Sequence, residues 1–195
     1  MGKHGKRWIC PKCRLQINLE LKFFMIERNK RRILFMSFYE GKIKKLLLQF
    51  KFQEKAYIAN FFAQVIKDNK NFVQYLLEYD YIIPVPMYKK GQKRRGYNQS
   101  DLLAKEISKA TGVKCISNYL VKIKENKVQS KLNKIERIQN VKNAYKILEY
   151  TMINNKKILL LDDIYTTGST TQACIKELQK ANPKQIDILV MAKTK

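Results

Sequence analysis

Apolar residues in the first half of the chain recur at the spacing of an α-helix. Two stretches place an apolar residue every three or four positions, so that one face of each predicted helix is hydrophobic. The first consists of Ile43, Leu46, Leu47 and Phe50, and the second of Ile58, Phe61, Phe62, Val65 and Ile66. A third helix is predicted over 98–112, where a terminal glycine suits the C-terminal stop. Its apolar side is formed by Leu102, Leu103 and Ile107.

Shorter apolar runs predict β-strands. They are YII (81–83), AYKIL (144–148), KKILLLDD (156–163) and QIDILVMA (185–192). The third run is almost wholly apolar, as expected of a central parallel strand covered on both faces. Pro84 and Pro86 follow the first run, and proline cannot donate to a β-ladder, so that strand should end in a stiff loop. The helical stretch TTQACIKELQKA separates the last two runs. This alternation predicts an α/β protein with an open, mostly parallel sheet flanked by helices.

Three segments lack a clear period. Residues 1–38 are basic and mix aromatic with apolar positions, and they are expected to form a short N-terminal appendage to a domain spanning 39–195. The stretch KKGQKRRGYNQS (89–100) is predicted to begin as a basic, glycine-containing loop. Residues 122–143 are polar and cationic, which predicts either a surface helix or a mobile loop.

Composition narrows the class of protein and leaves its partners open. A chain of 195 residues with 45% apolar content is long enough for a proper core. No apolar stretch has the length of a membrane span, and the N-terminus lacks the apolar centre of a secretory signal. A cytoplasmic protein without membrane insertion is therefore expected. The net charge of +24 fits nucleic acid or anionic metabolites as partners. Lysine outnumbers arginine 32 to 8, however, so part of this charge is explained equally well as a solvated surface.

The cysteine pattern points to an incomplete metal site. Cys10 and Cys13 have the CxxC spacing of zinc ligands, but a structural zinc site needs four ligands and no second CxxC follows. His4 is the only histidine and could supply a third ligand at most. The pattern favours an incomplete zinc site over an occupied one.

The stretch DDIYTTGSTT (162–171) carries the clearest chemistry. Asp162 and Asp163 end an apolar run, and ligands in such sheets bind beyond the carboxyl ends of central strands. The following hydroxyl-rich residues lead into a helix, whose free N–H groups and dipole favour a phosphate. Gly168 permits a positive φ and a close approach of backbone to the anion. Since like charges repel, the acids cannot bind that phosphate, but they can accept hydrogen bonds from sugar hydroxyls or help hold a divalent cation.

A purely structural role accounts for this stretch less well. An N-capped helix after a buried strand would need one serine or threonine and no acid pair. Neither a Walker loop nor a G-x-G-x-x-G dinucleotide loop is present. The residues therefore predict a site for a phosphorylated ribose.

Four stretches together resemble a known family. ILLLDDIYTTGSTT is similar to the phosphoribosyl-pyrophosphate signature of type I phosphoribosyltransferases. Three others resemble the ComF branch of that superfamily, which includes the GntX-type proteins. They are YEGKIKKLLLQFKFQEK, IIPVPMYKKGQKRRGYNQSDLLA and QSKLNKIERIQNVKNAY. The resemblance runs from about Tyr39 to the C-terminus and implies the type I phosphoribosyltransferase fold.

The resemblance also implies roles for particular residues. Asp162 and Asp163 would contact the ribose hydroxyls and a magnesium ion. The 5′-phosphate would be held by Thr166, Thr167, Gly168, Ser169 and Thr170. The pyrophosphate loop and its neighbours would be Val85, Pro86, Met87, Arg94, Arg95, Asn98 and Gln99, and a flexible closing loop would include Lys122, Lys124 and Arg137. Relatives usually begin with several zinc-binding CxxC pairs, so residues 1–38 resemble a degenerate zinc ribbon in which only Cys10 and Cys13 remain.

Three functions stay open at this point. The first is magnesium-dependent transfer of a phosphoribosyl group from phosphoribosyl pyrophosphate to an unknown acceptor, with no protein nucleophile. The second, implied by the ComF resemblance, is a role in natural competence, with single-stranded DNA and a competence helicase or recombination mediator as partners. The third is a phosphoribosyl-pyrophosphate sensor without turnover. Several aromatic residues could stack on an acceptor base, but their helical spacing favours a place in the core. They are Tyr39, Phe50, Phe52 and Tyr57.

Overall fold

The computed structural model describes residues 9–125 and 143–195. Its helices are α1 (Pro11–Glu20), α2 (Gly41–Phe52), α3 (Tyr57–Asp68), α4 (Lys70–Leu76), α5 (Lys89–Arg95), α6 (Gln99–Thr111) and α7 (Ser169–Leu178), and a 3₁₀ turn follows at Gln179–Ala181. Its strands are β1 (Phe24–Arg28), β2 (Arg31–Phe38), β3 (Tyr81–Pro84), β4 (Lys114–Cys115), β5 (Leu120–Lys122), β6 (Tyr145–Ile147), β7 (Lys157–Tyr165) and β8 (Gln185–Lys193). No helix among these residues is long and apolar enough to cross a membrane.

Within the described residues, six strands form one sheet in the order β1-β2-β8-β7-β3-β4. All neighbouring strands are parallel except β1 and β2, which form an antiparallel hairpin. Strands β5 and β6 pair separately as a two-stranded antiparallel ribbon. The predicted α/β architecture is confirmed, and the apolar run of β7 does occupy the centre of the sheet.

The core lies on both faces of the sheet because the central strand is apolar on both sides. Leu159 and Leu161 of β7 pack with the buried faces of helices α2, α3 and α6. Ile158 and Leu160, which alternate with them, pack on the other face with helix α7 and the β5–β6 ribbon. The helical stripes predicted from the sequence are buried, with Val65 and Leu102 only partly so.

The sheet extends into the segment predicted to be an appendage. Strand β2 pairs in parallel with β8, and Ile33 to Met36 are buried on both faces of the strand. A strand buried on both faces gives a continuous apolar run without a period, which hid this element in the sequence. The boundary expected at residue 38 therefore falls at the end of a sheet strand whose residues pack into the core on both faces of the sheet.

Two further elements differ from the sequence prediction. The expected basic loop after Met87 contains helix α5, which ends at Gly96 with a φ of 79°. Strand β7 continues past the acid pair to Tyr165 because it stays paired with β8 as far as Lys193. The acids therefore lie within the strand, three and two residues before its end, and alternate between its faces.

The connections make a crevice at the carboxyl ends of β3 and β7. The chain leaves β7 through α7 and returns to β8 on one side, whereas it leaves β3 through α6 and returns to β4 on the other side. Neighbouring parallel strands whose connections diverge in this way leave a gap beyond their ends, where ligands of open α/β sheets bind.

Candidate functional site

A cavity of about 560 Å³ occupies this crevice. Its lining combines the acid pair, the loop after β3, helix α5, the start of α6 and the β5–β6 ribbon. The lining cations are Lys51, Arg94, Arg95 and Lys122. A smaller depression of about 30 Å³ adjoins it, lined by residues 164–171 and by Asp162. The region is large enough for a nucleotide-sized anion and carries both charge signs.

Two different elements hold the acid pair. Ser100, at the start of α6, donates its hydroxyl to Asp162 Oδ1 at 2.8 Å, and the same oxygen accepts the backbone N–H of Asp163 at 2.9 Å. Lys51, near the end of α2, places its Nζ 3.1 Å from Asp163 Oδ1. The two carboxylates therefore have distinct partners, a hydroxyl for one and an ammonium for the other.

Burial and neighbouring charges shift the pKa values of Asp162 and Lys51. Burial, followed by the neighbouring charge of Asp163, raises the pKa of Asp162 to about 7, against the opposing effects of Lys51 and Ser100. For Lys51, burial alone would lower the pKa, but the attraction of Asp163 and Asp162 outweighs it and the pKa is raised. A partly buried acid pair facing a cavity is an arrangement that a bound cation would stabilise.

The acid pair also meets the donor requirements of magnesium. Carboxylate oxygens are hard ligands, and Mg²⁺ commonly takes one or two from protein and the rest from water and phosphate. Among the described residues, no group of three acidic, histidine or cysteine side chains comes together. Asp162 and Asp163 thus fit a cation that arrives with a phosphorylated ligand.

The turn after β7 has the geometry of an anion site. Gly168 adopts a φ of 79°, and a Cβ at this position would lie 2.7 Å from Cζ of the buried Tyr165. Helix α7 begins at the next residue, so its N-terminal N–H groups face the small depression. Thr167 Oγ1 and Ser169 Oγ lie 2.9 Å apart, and Thr166 and Thr170 also line the cavity wall. The predicted cradle residues are therefore brought together around one turn.

The loop after β3 lies opposite this turn. Its backbone is tied to the sheet by the Val85 N–H, which donates to the Leu161 carbonyl at 2.8 Å. Asn98 donates its Nδ2 to the Val85 carbonyl at 3.1 Å, and its Oδ1 accepts the Ser100 N–H as the cap of α6. Pro86 and Met87 line the cavity. Asn98 thus positions the loop and the serine that meets Asp162, in addition to lining the cavity.

The two arginines and Gln99 complete this wall. Arg95 donates to Gln99 Oε1 at 3.3 Å, and its guanidinium carbon lies 5.0 Å from the ring centre of the exposed Phe52. Gln99 is 2% exposed, and its Nε2 has no hydrogen-bond partner within the described part of the chain. Arg94 lines the cavity directly. This wall offers hydrogen-bond donors and positive charge to an anion.

Two of the three residues named for the predicted closing loop, Lys122 and Lys124, lie in the described part of the chain. Lys122 ends β5 and lines the cavity, and burial lowers its pKa. Lys124 is exposed and lies outside the cavity lining, whereas Arg137 falls outside the described residues. Tyr145 of β6 also lines the cavity, and the Nζ of Lys122 lies over its ring, 5.5 Å from the ring centre.

The zinc expectation stays a prediction. Cys10 lies exposed just before α1 and lines a groove against α2, away from the acid pair. The side chain of Cys13 and the whole of His4 lie outside the described part of the structure.

Lys51, Ser100 and Tyr145 line the cavity although the sequence did not single them out, and Tyr39, which was expected in the core, lines it as well. Lys51 follows Phe50 at the end of an amphipathic helix, where a lysine is typical of a solvated face. Ser100 could have been found from its place in the first turn of α6, directly after the stretch containing Arg94 and Arg95. No local signal marked Tyr145, which reaches the cavity only through the β5–β6 ribbon.

The sequence is similar to those of several known proteins. A model of the phosphoribosyl transferase domain matches residues 93–195. The chain is 31% identical to competence protein F of Haemophilus influenzae over 83% of its own length and 72% of that protein. It is 25% identical to the DNA utilization protein YhgH of Salmonella typhimurium over 84% and 72% of the two chains. Among solved structures, glutamine phosphoribosylpyrophosphate amidotransferase from B. subtilis is 16% identical with a TM-score of 0.45, over 70% of this chain and 26% of that one.

Proposed function

Given that the chain belongs to the ComF-type branch of the phosphoribosyltransferase family, we propose that it binds phosphoribosyl pyrophosphate with Mg²⁺ at the β3–β7 crevice and transfers the phosphoribosyl group to an acceptor. The names of its relatives, competence protein F and DNA utilization protein, support a place for this activity in the uptake or use of DNA.

One observation carries the proposal. The acid pair, the hydroxyl turn at the start of α7 and the cationic wall of α5 line adjoining parts of one crevice. These are the groups that a ribose bearing a phosphate at one end and a pyrophosphate at the other would require. The turn fits the 5′-phosphate, Asp162 and Asp163 fit the ribose hydroxyls, and Arg94 fits the pyrophosphate.

The chemistry needs no protein nucleophile. The acceptor's lone pair forms a bond to C1 of the ribose while the C1–O bond breaks, and that electron pair leaves on pyrophosphate. A magnesium ion held by Asp162 and Asp163 would neutralise charge on the leaving group. Lys51, Arg94 and Lys122 add positive charge around the cavity. Closure of the predicted flexible loop would exclude water from it. An acceptor that carries a proton releases it to solvent after the bond has formed.

Calorimetric titration with phosphoribosyl pyrophosphate, with and without Mg²⁺, tests the binding step. The double variant Asp162→Asn/Asp163→Asn is expected to weaken magnesium-dependent binding by more than about 100-fold, since the carboxylates fit both the ribose and the cation. Asp101→Asn is the matched control, because Asp101 pairs with Lys105 on the surface of α6. An unchanged affinity in the double variant contradicts the proposal. Binding without pyrophosphate release in the presence of candidate acceptors would identify a sensor instead of an enzyme.

A second candidate function, binding of single-stranded DNA, rests on Phe52 together with helix α5, which also forms one wall of the crevice. Phe52 is 64% exposed at the end of α2, and Arg95 extends over its ring. Helix α5 beside it has five cationic residues out of seven and no buried residue. An exposed aromatic ring next to basic side chains is a platform on which a base can stack while cations follow the backbone.

Fluorescence anisotropy with labelled oligothymidylate tests this surface. Phe52→Ala should weaken binding about tenfold, as loss of a stacking ring does elsewhere. Leu15→Ala, which also removes an exposed apolar side chain, is the control and should leave the affinity unchanged. Affinity should also fall steeply with salt. Equal affinities of the Phe52→Ala variant and the wild type exclude this surface as the DNA site.

A further inference from the structure

Lys51 reaches the acid pair from an element outside the crevice loops. Helix α2 is anchored by Leu47 and Phe50, whose side chains are fully buried. The next residue, Lys51, directs its ammonium to Asp163, and the two side chains are 24% and 8% exposed. The lysine therefore sits on a rigid support and forms a shielded ion pair at the wall of the cavity.

The ammonium of Lys51 occupies a carboxylate oxygen that a bound cation would need. Asp163 is buried, and its Oδ1 faces Lys51 at 3.1 Å. Asp162 is occupied differently, by the Ser100 hydroxyl and a backbone N–H. An ammonium and a divalent cation cannot occupy the same carboxylate oxygen, because both need its lone pairs and they repel each other.

We propose that Lys51 is a built-in counter-ion, which neutralises Asp163 while the crevice is empty and gives up that carboxylate when a divalent cation enters with the phosphorylated ligand. Lys51 is then a positioning residue whose released ammonium faces the anionic ligand in the same cavity. The inference rests on the proposed function for the identity of that ligand. It has a separate consequence for the cation alone, which should bind weakly as long as Lys51 holds Asp163.

Binding of Mn²⁺ in the absence of any phosphorylated ligand tests this role. Free Mn²⁺ is measured by electron paramagnetic resonance in a titration of the wild type, Lys51→Met and Lys51→Gln. Removing the competing ammonium should tighten Mn²⁺ binding on the order of tenfold in both variants. Lys45→Met is the control, since Lys45 lies exposed on the same helix and its loss changes the net charge equally. It should leave the affinity for Mn²⁺ within about twofold of the wild type.

The outcomes separate this role from the proposed function. Mn²⁺ affinity that is unchanged or weaker in both Lys51 variants overturns the counter-ion role, and so does the absence of Mn²⁺ binding in every variant. Circular dichroism establishes that each variant is folded, and Lys51→Gln keeps a polar group beside Asp163 in case Lys51→Met unfolds. Failure of the wild type to bind phosphoribosyl pyrophosphate would count against the proposed function alone, because the Mn²⁺ titration contains no phosphorylated ligand.

Discussion

Two buried aspartate sites on neighbouring strands of this sheet differ in how their charge is satisfied. Asp187 on β8 is 1% exposed and lies opposite Leu159, three residues from the level of Asp162, or about 10 Å along the sheet. It accepts hydrogen bonds from the backbone and side chain of Arg32, both at 2.9 Å, from Tyr79 at 2.7 Å and from Gln185. Asp162 and Asp163 share one lysine and one serine between them.

This difference separates a structural charge from a binding charge. Asp187 accepts four hydrogen bonds from protein donors and lies outside the lining of the crevice cavity, so its burial is compensated within the fold. The acid pair has two like charges side by side, too few donors and an open cavity. A protein keeps such an arrangement at a cost in stability, and the cost is removed when a ligand supplies the missing charge.

The largest change in stability is expected from a substitution of Asp187, whose hydrogen bonds are supplied by protein donors. Asp187→Ala leaves Arg32, Tyr79 and Gln185 without their acceptor, and the free energy of unfolding should fall by about 3 kcal/mol. Urea denaturation measures this change. Affinity of the folded variant for phosphoribosyl pyrophosphate should stay within about twofold of the wild type, because Asp187 lies outside the cavity lining. A large loss of affinity with little loss of stability would reverse the assignment of the two sites.

Gly168→Ala should impair ligand binding at the turn between β7 and α7. An alanine there must adopt a positive φ and displace the ring of Tyr165, which together should reduce the free energy of unfolding by about 2 kcal/mol. Because the turn moves with that ring, affinity for ribose 5-phosphate should fall at least about tenfold. Calorimetry with ribose 5-phosphate checks the affinity, and Gly112→Ala serves as control because its φ of 88° is also positive but its Cβ would meet no atom within 4 Å.

Asp162→Asn should stabilise the ligand-free protein at neutral pH. The pKa of Asp162 is raised from 3.8 to about 7 on folding, so the folded state binds a proton that the unfolded state has lost between these values. Wild-type stability contributed by this group is therefore present at pH 4 and lost as the pH rises to 7. The variant lacks this loss. Because Asp162 is only partly buried and lines the cavity, solvent screening reduces the effect below the full value of the pKa shift, and the variant's advantage in the free energy of unfolding should grow from near zero at pH 4 to on the order of 1–2 kcal/mol at pH 8. Urea melts at a series of pH values, with chelator present, measure it, and a pH-independent difference would contradict the raised pKa.

The smallest effect on stability is expected when Asp187 loses one of its hydrogen-bond donors. Tyr79→Phe removes the hydroxyl at 2.7 Å from Asp187 and leaves the other three hydrogen bonds, which should lower the free energy of unfolding by about 1 kcal/mol. Tyr57→Phe is a suitable control, because Tyr57 is only partly buried and lines a groove whose lining does not include Asp187. Thermal or urea unfolding of both variants would show whether Asp187 depends on each donor separately.

Local patterns in the sequence determined much of this protein. The spacing of Ile43, Leu46, Leu47 and Phe50 defined helix α2, because a 3.6-residue period is visible within a few turns. The apolar run of β7 predicted a central parallel strand, and the residues after it predicted a phosphate-binding turn. The structure confirms the strand and gathers Thr166 to Thr170 around Gly168.

Contacts between distant parts of the chain were decided only by the tertiary structure. Ser100 meets Asp162 across 62 residues, and Lys51 reaches Asp163 from a helix whose surface lysines all look alike in the sequence. Strand β2 joins the sheet through β8, more than 150 residues later. Periodicity records which face of an element is buried, but the partners across that face depend on the packing of the whole chain. The acid pair could therefore be predicted from the sequence, and the lysine that neutralises it could not.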